Sequence, residues 1–152
     1  MRTFFIVLVL LSFTVILNCN NSIKPINAEL KIPENTIAPC PESPNCFRTT
    51  QILKADPEAV QEALMKSLTT NNAFKIEEVN ISDKKTINAV FKIPIFGWLD
   101  DVVIHVDSDS SNADITFVHI KSSSREGYYD LGVNKRRVNK IIKHARKEIN
   151  KP

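Results

Sequence analysis

Five apolar residues near the end of the chain, Val138, Ile141, Ile142, Ala145 and Ile149, recur at three- and four-residue spacing. At 3.6 residues per turn they fall on one helical stripe about 100° wide. Such a helix has little stability by itself in water and must lay its stripe against a second layer. The segments before it say what that layer is. Phe47 to Leu53, Phe74 to Ile81, Thr86 to Ile93, Trp98 to Asp107 and Ile115 to Lys121 read as strands, punctuated by Ser82-Asp83-Lys84, by Pro94 and Gly97, and by the polar run from Ser108 to Asp114. One further helix is signalled by Asp56 as N-cap, Pro57 at the first helical position and Glu58 in the first turn. Val60, Ala63, Leu64 and Leu68 continue it on one face to about Thr69, where Asn71-Asn72 breaks it. The order β-α-β-β-β-β-α predicts an α+β fold: an antiparallel sheet of about five strands with two helices on one face.

Residues 1–18 have the pattern of an export signal. Arg2 supplies the positive charge, and Phe4 to Leu17 is apolar except for Ser12 and Thr14, a run too short to span a bilayer comfortably. Ile16-Leu17-Asn18-Cys19 resembles the lipobox of bacterial lipoproteins, in which the cysteine is lipidated and becomes the first residue. Asn18 departs from the Gly, Ala or Ser usual before that cysteine. Ordinary cleavage after Ala28 would need an unusually long polar region, so lipidation at Cys19 is preferred. The expected location is the cell envelope, membrane-anchored through the N-terminal lipid; a soluble secreted or periplasmic protein is the alternative. Residues 19–39 read as a tether, and residues 40–152 as a single domain.

With Cys19 lipidated, the other two cysteines, Cys40 and Cys46, are an even pair in an oxidising compartment. A bridge across so short a ring contributes about 2 kcal/mol in the chain-entropy model. No histidine or third cysteine lies nearby, so neither a metal nor any other cofactor is expected there.

The net charge of +3 conceals an asymmetry: Lys135 to Pro152 carries eight basic residues against one acid. Arg136, Lys140, Lys143 and Lys147 form a stripe opposite the apolar one, suited to solvent, to lipid headgroups or to another anionic ligand. No nucleic-acid partner is expected for a chain with an export signal. Asn134 reads as the helix N-cap, with Val133 and Val138 at the spacing of a hydrophobic staple. Yet Lys135, Arg136 and Arg137 fill the first turn, where the helix dipole disfavours cations by several tenths of a kcal/mol each. A negative group is therefore expected close by: Asp130, Glu126, the Asp100-Asp101 pair or a bound anion.

These residues define a candidate ligand-binding set: Asp100, Asp101, Arg125, Tyr128, Asp130, Asn134, Arg136 and Arg137. Asp100 and Asp101 point to opposite faces of their strand, so one metal cannot grip both. Asp100 shares the apolar face of Val102, Ile104 and Val106 and needs a cationic partner, Arg125 or Arg137. Arg137 is expected to turn inward, Arg136 outward, and Arg125 to behave like Arg137. His105 and His119 are expected to be offset in register and to sit on the strand surface, which argues against a shared metal. Ser122-Ser123-Ser124 lacks any nucleophile-elbow signature.

The run S-x-S-R-x-G-x-x-D-x-G-x-N-x-R-R from Ser122 to Arg137 resembles the closing motif of the domain-of-unknown-function family 1499. Ser43-Pro44-Asn45-Cys46 and Asp100-Asp101 match the family's opening and middle motifs in the same order, so the resemblance covers about Cys40 to Ile149. It implies an envelope- or plastid-associated domain with no established catalytic residues to carry over. Val103 stands where the family often has a polar or acidic residue, so a complete acidic site is not implied. The functional expectation is a non-catalytic binding domain with its charged site at the Arg125–Arg137 junction. The alternative is an envelope hydrolase using Asp100 and Asp130 with an arginine, which would need a cleft with a general base in reach.

Overall fold

The computed structural model describes residues 31–81, 84–94 and 96–151. The expected export signal, the lipidation site at Cys19 and most of the expected tether lie outside the described residues. The elements are β1 (Cys46–Leu53), α1 (Pro57–Thr70), β2 (Lys75–Ile81), β3 (Lys84–Lys92), β4 (Leu99–Asp109), β5 (Asn112–Ser124) and α2 (Val133–Ile149). The α+β order is the expected one, and the sheet is antiparallel in the order β1-β5-β4-β3-β2. Four strands therefore follow the chain as hairpins, and β1 closes the sheet by pairing with β5.

One sheet face builds the core. Ile87, Ile104 and Ile120 sit side by side across β3, β4 and β5, with Ala89, Val102, Val106 and Val118 around them, all buried. Onto this face α1 lays Val60, Ala63, Leu64 and Leu68, and α2 lays Val138, Ile141, Ile142 and Ala145. The two helices also meet each other, where the buried Ser67 hydroxyl donates to the Ile141 carbonyl at 2.7 Å. At the start of α1 the Asp56 carboxylate accepts from the Ala59 amide at 2.9 Å, as its N-cap position predicts.

The β4–β5 hairpin departs from expectation. The polar run from Ser108 to Asp114 is not an open loop; pairing continues to Asp109 and Asn112, with a shift between Ser108 and Asp109. The Asp109 carboxylate accepts from both the amide and the hydroxyl of Ser111, closing the turn locally. This tight closure sets the register and corrects the histidine reading. His105 and His119 are paired directly opposite each other on the face away from the helices. His119 is fully buried, its Nδ1 2.8 Å from the Thr50 hydroxyl and its Nε2 3.2 Å from Asp107.

Residues 35–39, assigned to the tether by sequence, are held along this second face. Asn35 Nδ2 donates to the Thr49 carbonyl, Arg48 donates to the Asn35 carbonyl, and Thr36 Oγ1 lies 2.7 Å from His105 Nδ1. Ile37 is 7% exposed, whereas Ile32 is 57% exposed. Ile37→Ser is expected to cost about 2 kcal/mol in denaturant melts, the value of one buried aliphatic side chain. Ile32→Ser should leave the midpoint unchanged, and equal midpoints for both variants would mean that the segment is not held.

Candidate functional site

The register brings Cys46 beside Ser123, Ser123 beside Asp101 and Asp101 beside Val90. The starts of β1 and β4, the ends of β3 and β5, and the first turn of α2 thus share one end of the sheet. At its centre Asp100, 2% exposed, receives a hydrogen bond from the Arg137 guanidinium at 2.5 Å. Arg137 also donates to Asn134 Oδ1 at 2.7 Å and to Ser122 Oγ at 3.0 Å, and its guanidinium lies 4.8 Å from the Phe91 ring centre. A charge taken out of water in this way is tolerable when its remaining donors and acceptors are filled.

Asn134 fills them and is not the N-cap. Its amide nitrogen donates to the Asn45 carbonyl at 2.8 Å and to Ser124 Oγ at 3.0 Å, while Ser122 Oγ donates to its oxygen at 2.6 Å. The cap position falls to Gly132, in the left-handed region at φ 75, with no side-chain cap bond. The reason is that Asp130, two residues further out, does the capping. Its carboxylate accepts from the Gly132 amide at 2.8 Å and the Asn134 amide at 2.7 Å, which frees Asn134 to turn inward. Partial burial works against ionisation of Asp130, but the backbone donors of Asn134 and Gly132 outweigh it and hold the carboxyl below its ordinary value. Two of the expected negative groups are therefore present at the basic first turn: Asp130 on its amides and Asp100 on Arg137.

The disulfide joins this network. Cys40 and Cys46 are bridged, with Cα atoms 5.7 Å apart. Between them Asn45 is buried; its side chain donates to the Gly127 carbonyl, and its own carbonyl accepts from the Ser124 amide at 3.0 Å. One bridged turn therefore fastens the β5–α2 link. Asn45, Ser122 and Ser124 were not among the candidates chosen from sequence, although the period-two spacing of the serines placed both on the face of Asp100.

The other candidates separate. Arg125 does not join the buried pair. It forms a two-pronged bond with Asp101, at 2.9 and 2.7 Å, on the opposite face and in partial contact with solvent. This corrects the expectation that Arg125 behaves like Arg137: the strand turns Asp101, not Asp100, toward the side on which Arg125 leaves β5. Arg136 is exposed, as expected, and donates to the Leu131 carbonyl at 2.8 Å. Tyr128 points outward at 73% exposure.

Two concavities flank the ion pair. A cleft of about 150 Å³ between the β3–β4 and β5–α2 links is walled by Phe96, Trp98, Tyr129 and Leu131, with Asp100 and Asp130 among its lining. Phe96 and Trp98 stack at 4.6 Å between centroids. A hollow of about 240 Å³ is lined by Asn71, Phe91, Val133, Arg136, Arg137 and Lys140. Val133 lines both, Asp100 belongs to the first and Arg137 to the second. Among the described residues no group of three or more His, Cys, Asp or Glu side chains is placed to hold a metal.

A two-layer α+β domain with a buried ion pair, serviced by asparagines and serines at one end of its sheet, is the class that fold and site define. The model of the DUF1499 family, proteins of unknown function, matches residues 36–144, and the chain belongs to that family. No curated protein matches it. Among solved structures it is similar to a Chromobacterium violaceum protein at 11% identity, over 72% of this chain and 100% of that one, with a TM-score of 0.43. A Nitrosospira multiformis protein follows at 10% identity, over 69% and 96%, with a TM-score of 0.40. A START superfamily protein from Mycobacterium smegmatis has 11% identity, over 68% and 93%, with a TM-score of 0.36. At these scores the likeness carries no argument about ligand or activity.

Arg137→Ala leaves Asp100 buried without its partner and should destabilise the domain by about 3–5 kcal/mol in denaturant melts. Arg136→Ala and Arg125→Ala, which remove exposed groups, should barely move the midpoint. Similar losses at all three positions would refute the inward placement of Arg137. Asp130 adds a pH dependence. Because its folded pKa is depressed, its stabilising share is complete above the unfolded carboxylate value and is lost as pH falls through the folded one. Asp130→Asn should therefore flatten the acid limb of the stability profile, and an unchanged limb would exclude Asp130 as the cap.

Proposed function

We propose that the domain is a non-catalytic binding module of the cell envelope, anchored by lipid at Cys19, that takes an anionic amphiphile at the end of its sheet. The observation that carries this reading is the meeting of an aromatic cleft and a cationic hollow at Val133. The cleft has room for one chain or ring of a ligand and not for a whole drug-sized molecule. The hollow beside it offers Arg136 and Lys140 to an acidic head. Arg137 is neutralised by Asp100, so the positive charge offered to the head is that of Arg136 and Lys140. Asp100 and Asp130 are both engaged, one by Arg137 and the other by backbone amides, which favours a positioning role for them over acid–base work. The export signal, Cys19 and the bridge between Cys40 and Cys46 support the envelope location.

Trp98 is the chain's single tryptophan and lies in the cleft wall, so it reports occupancy. Titration with dodecyl phosphate below its critical micelle concentration should change Trp98 emission saturably. Leu131→Asp should abolish the change, and Arg136→Gln with Lys140→Gln should weaken it. A flat titration, or one indifferent to these variants, would overturn the binding reading. The anchor is tested separately: Cys19→Ala should abolish lipid labelling and leave unprocessed precursor, and normal processing of that variant would remove the anchor from the proposal.

A further inference from the structure

We propose that the end of the domain bearing the cleft docks on an anionic bilayer, inserting apolar side chains from three separate turns. Phe74 comes from the α1–β2 turn, Phe96 and Trp98 from the β3–β4 link, and Tyr128, Tyr129 and Leu131 from the β5–α2 link; all are exposed. The sheet register explains why they share an end. Phe74 donates its amide to the Val90 carbonyl, Val90 is opposite Asp101, and Asp101 is opposite Ser123, so every turn concerned leaves the sheet on that side. These are large apolar and interfacial side chains on exposed turns, four of them at the rim of the cleft, where a globular surface ordinarily keeps polar residues.

Leu131 shows that the exposure is enforced. It has φ 53, a left-handed conformation disfavoured for a branched side chain by about 1 kcal/mol, and its side chain is 71% exposed. Glycine or asparagine would occupy this position at lower cost, and the backbone on either side is held by Asp130 and by Arg136. A local rule broken without a local gain marks a residue used for contact.

Charge selects the occupant. Lys92, Lys135, Arg136 and Lys140 belong to the same end: Lys92 stands 6.0 Å from the Phe74 ring and Lys135 5.8 Å from the Phe47 ring, and among the described residues none of the four is in an ion pair. The acids of the same end are largely engaged: Asp100 with Arg137, Asp101 with Arg125, and Asp130 with the helix amides, leaving Glu42 and Glu126. Apolar side chains interspersed with cations that no acid neutralises match a fluid anionic surface, with rings at the headgroup level and cations over the phosphates. A protein partner would call for a continuous, shape-complementary patch instead. The docking rests on the preceding reading only for the ligand's route, since the cleft would then open toward the acyl region.

The test uses the full chain, as its host processes it, with vesicles carrying brominated acyl chains. Trp98 then reports depth whether or not an N-terminal lipid tethers the protein. With phosphatidylglycerol in the vesicles, Trp98 emission should shift to the blue and fall about twofold, as expected for a ring at the interface. With phosphatidylcholine alone the effect should be much smaller. Lys92→Gln and Lys135→Gln, which lie outside the linings of both concavities, should each weaken the response about fivefold in lipid concentration. Phe74→Ser with Tyr128→Ser should abolish it while dodecyl phosphate binding persists, which separates docking from cleft binding. Circular dichroism melts confirm that these surface variants fold. Unquenched Trp98 in vesicle-bound protein would overturn the proposal. So would Trp98 already shielded from acrylamide without vesicles, because another chain segment or a second copy would then cover the patch.

Discussion

The arrangement depends most on one buried ion pair. Asp100 begins β4 on the face that the rest of the strand gives to Val102, Ile104 and Val106, and a carboxylate there is tolerated only if a cation reaches it. Arg137 does so from one turn inside α2, which fixes both the rotation of the helix and how far along the sheet it begins. Asn134, one turn earlier on the same side, then meets Ser122, Ser124 and Asn45, so the polar end of the sheet is satisfied in one connected set. Removing any single member leaves the others in low dielectric without a partner.

That requirement shapes the chain around it. The β5–α2 link must carry the chain from the sheet edge to a helix whose first turn is already committed to interior contacts. It does so with left-handed backbone at Gly127, Leu131 and Gly132 and with Asp130 gathering the amides. The bridged turn of Cys40 and Cys46 presents Asn45 to the same link from β1. Rigidity at this end is therefore the product of three covalently distant pieces, and it is on this support that the aromatic side chains stand exposed.

Much of this was legible in the sequence, for identifiable reasons. Alternation gave the strands, and the stripe of Val138, Ile141, Ile142 and Ala145 gave α2, because periodicity is a local property. The face of Asp100 was equally local, and its partner narrowed to two arginines; choosing between them needed the path of a link whose glycines permit several. Asn134 reads as a cap because an asparagine ahead of a helix so often is one, whereas its actual partner Asn45 is 89 residues away. The histidine register is hidden because the polar run from Ser108 to Asp114 has the composition of an open loop and yet continues the strand pairing. The cleft is invisible in the sequence, since Phe96 and Trp98 come from one link and Leu131 from another, and nothing in their spacing says that they converge.

The position of β1 has a consequence for how the molecule is completed. The strands β2 to β5 are joined in succession, each pairing with a neighbour close in the chain, whereas β1 must be brought from the beginning of the domain to the last strand. Closing so long a stretch is entropically costly and is rewarded only once the distant contacts form. Asn45 lies just before β1 and Asn134 in the first turn of α2, so the polar set beside the cleft exists only when the two ends of the domain have met. A chain interrupted before α2 could keep its hairpins and still lack this end, so the cleft is a property of the finished domain alone.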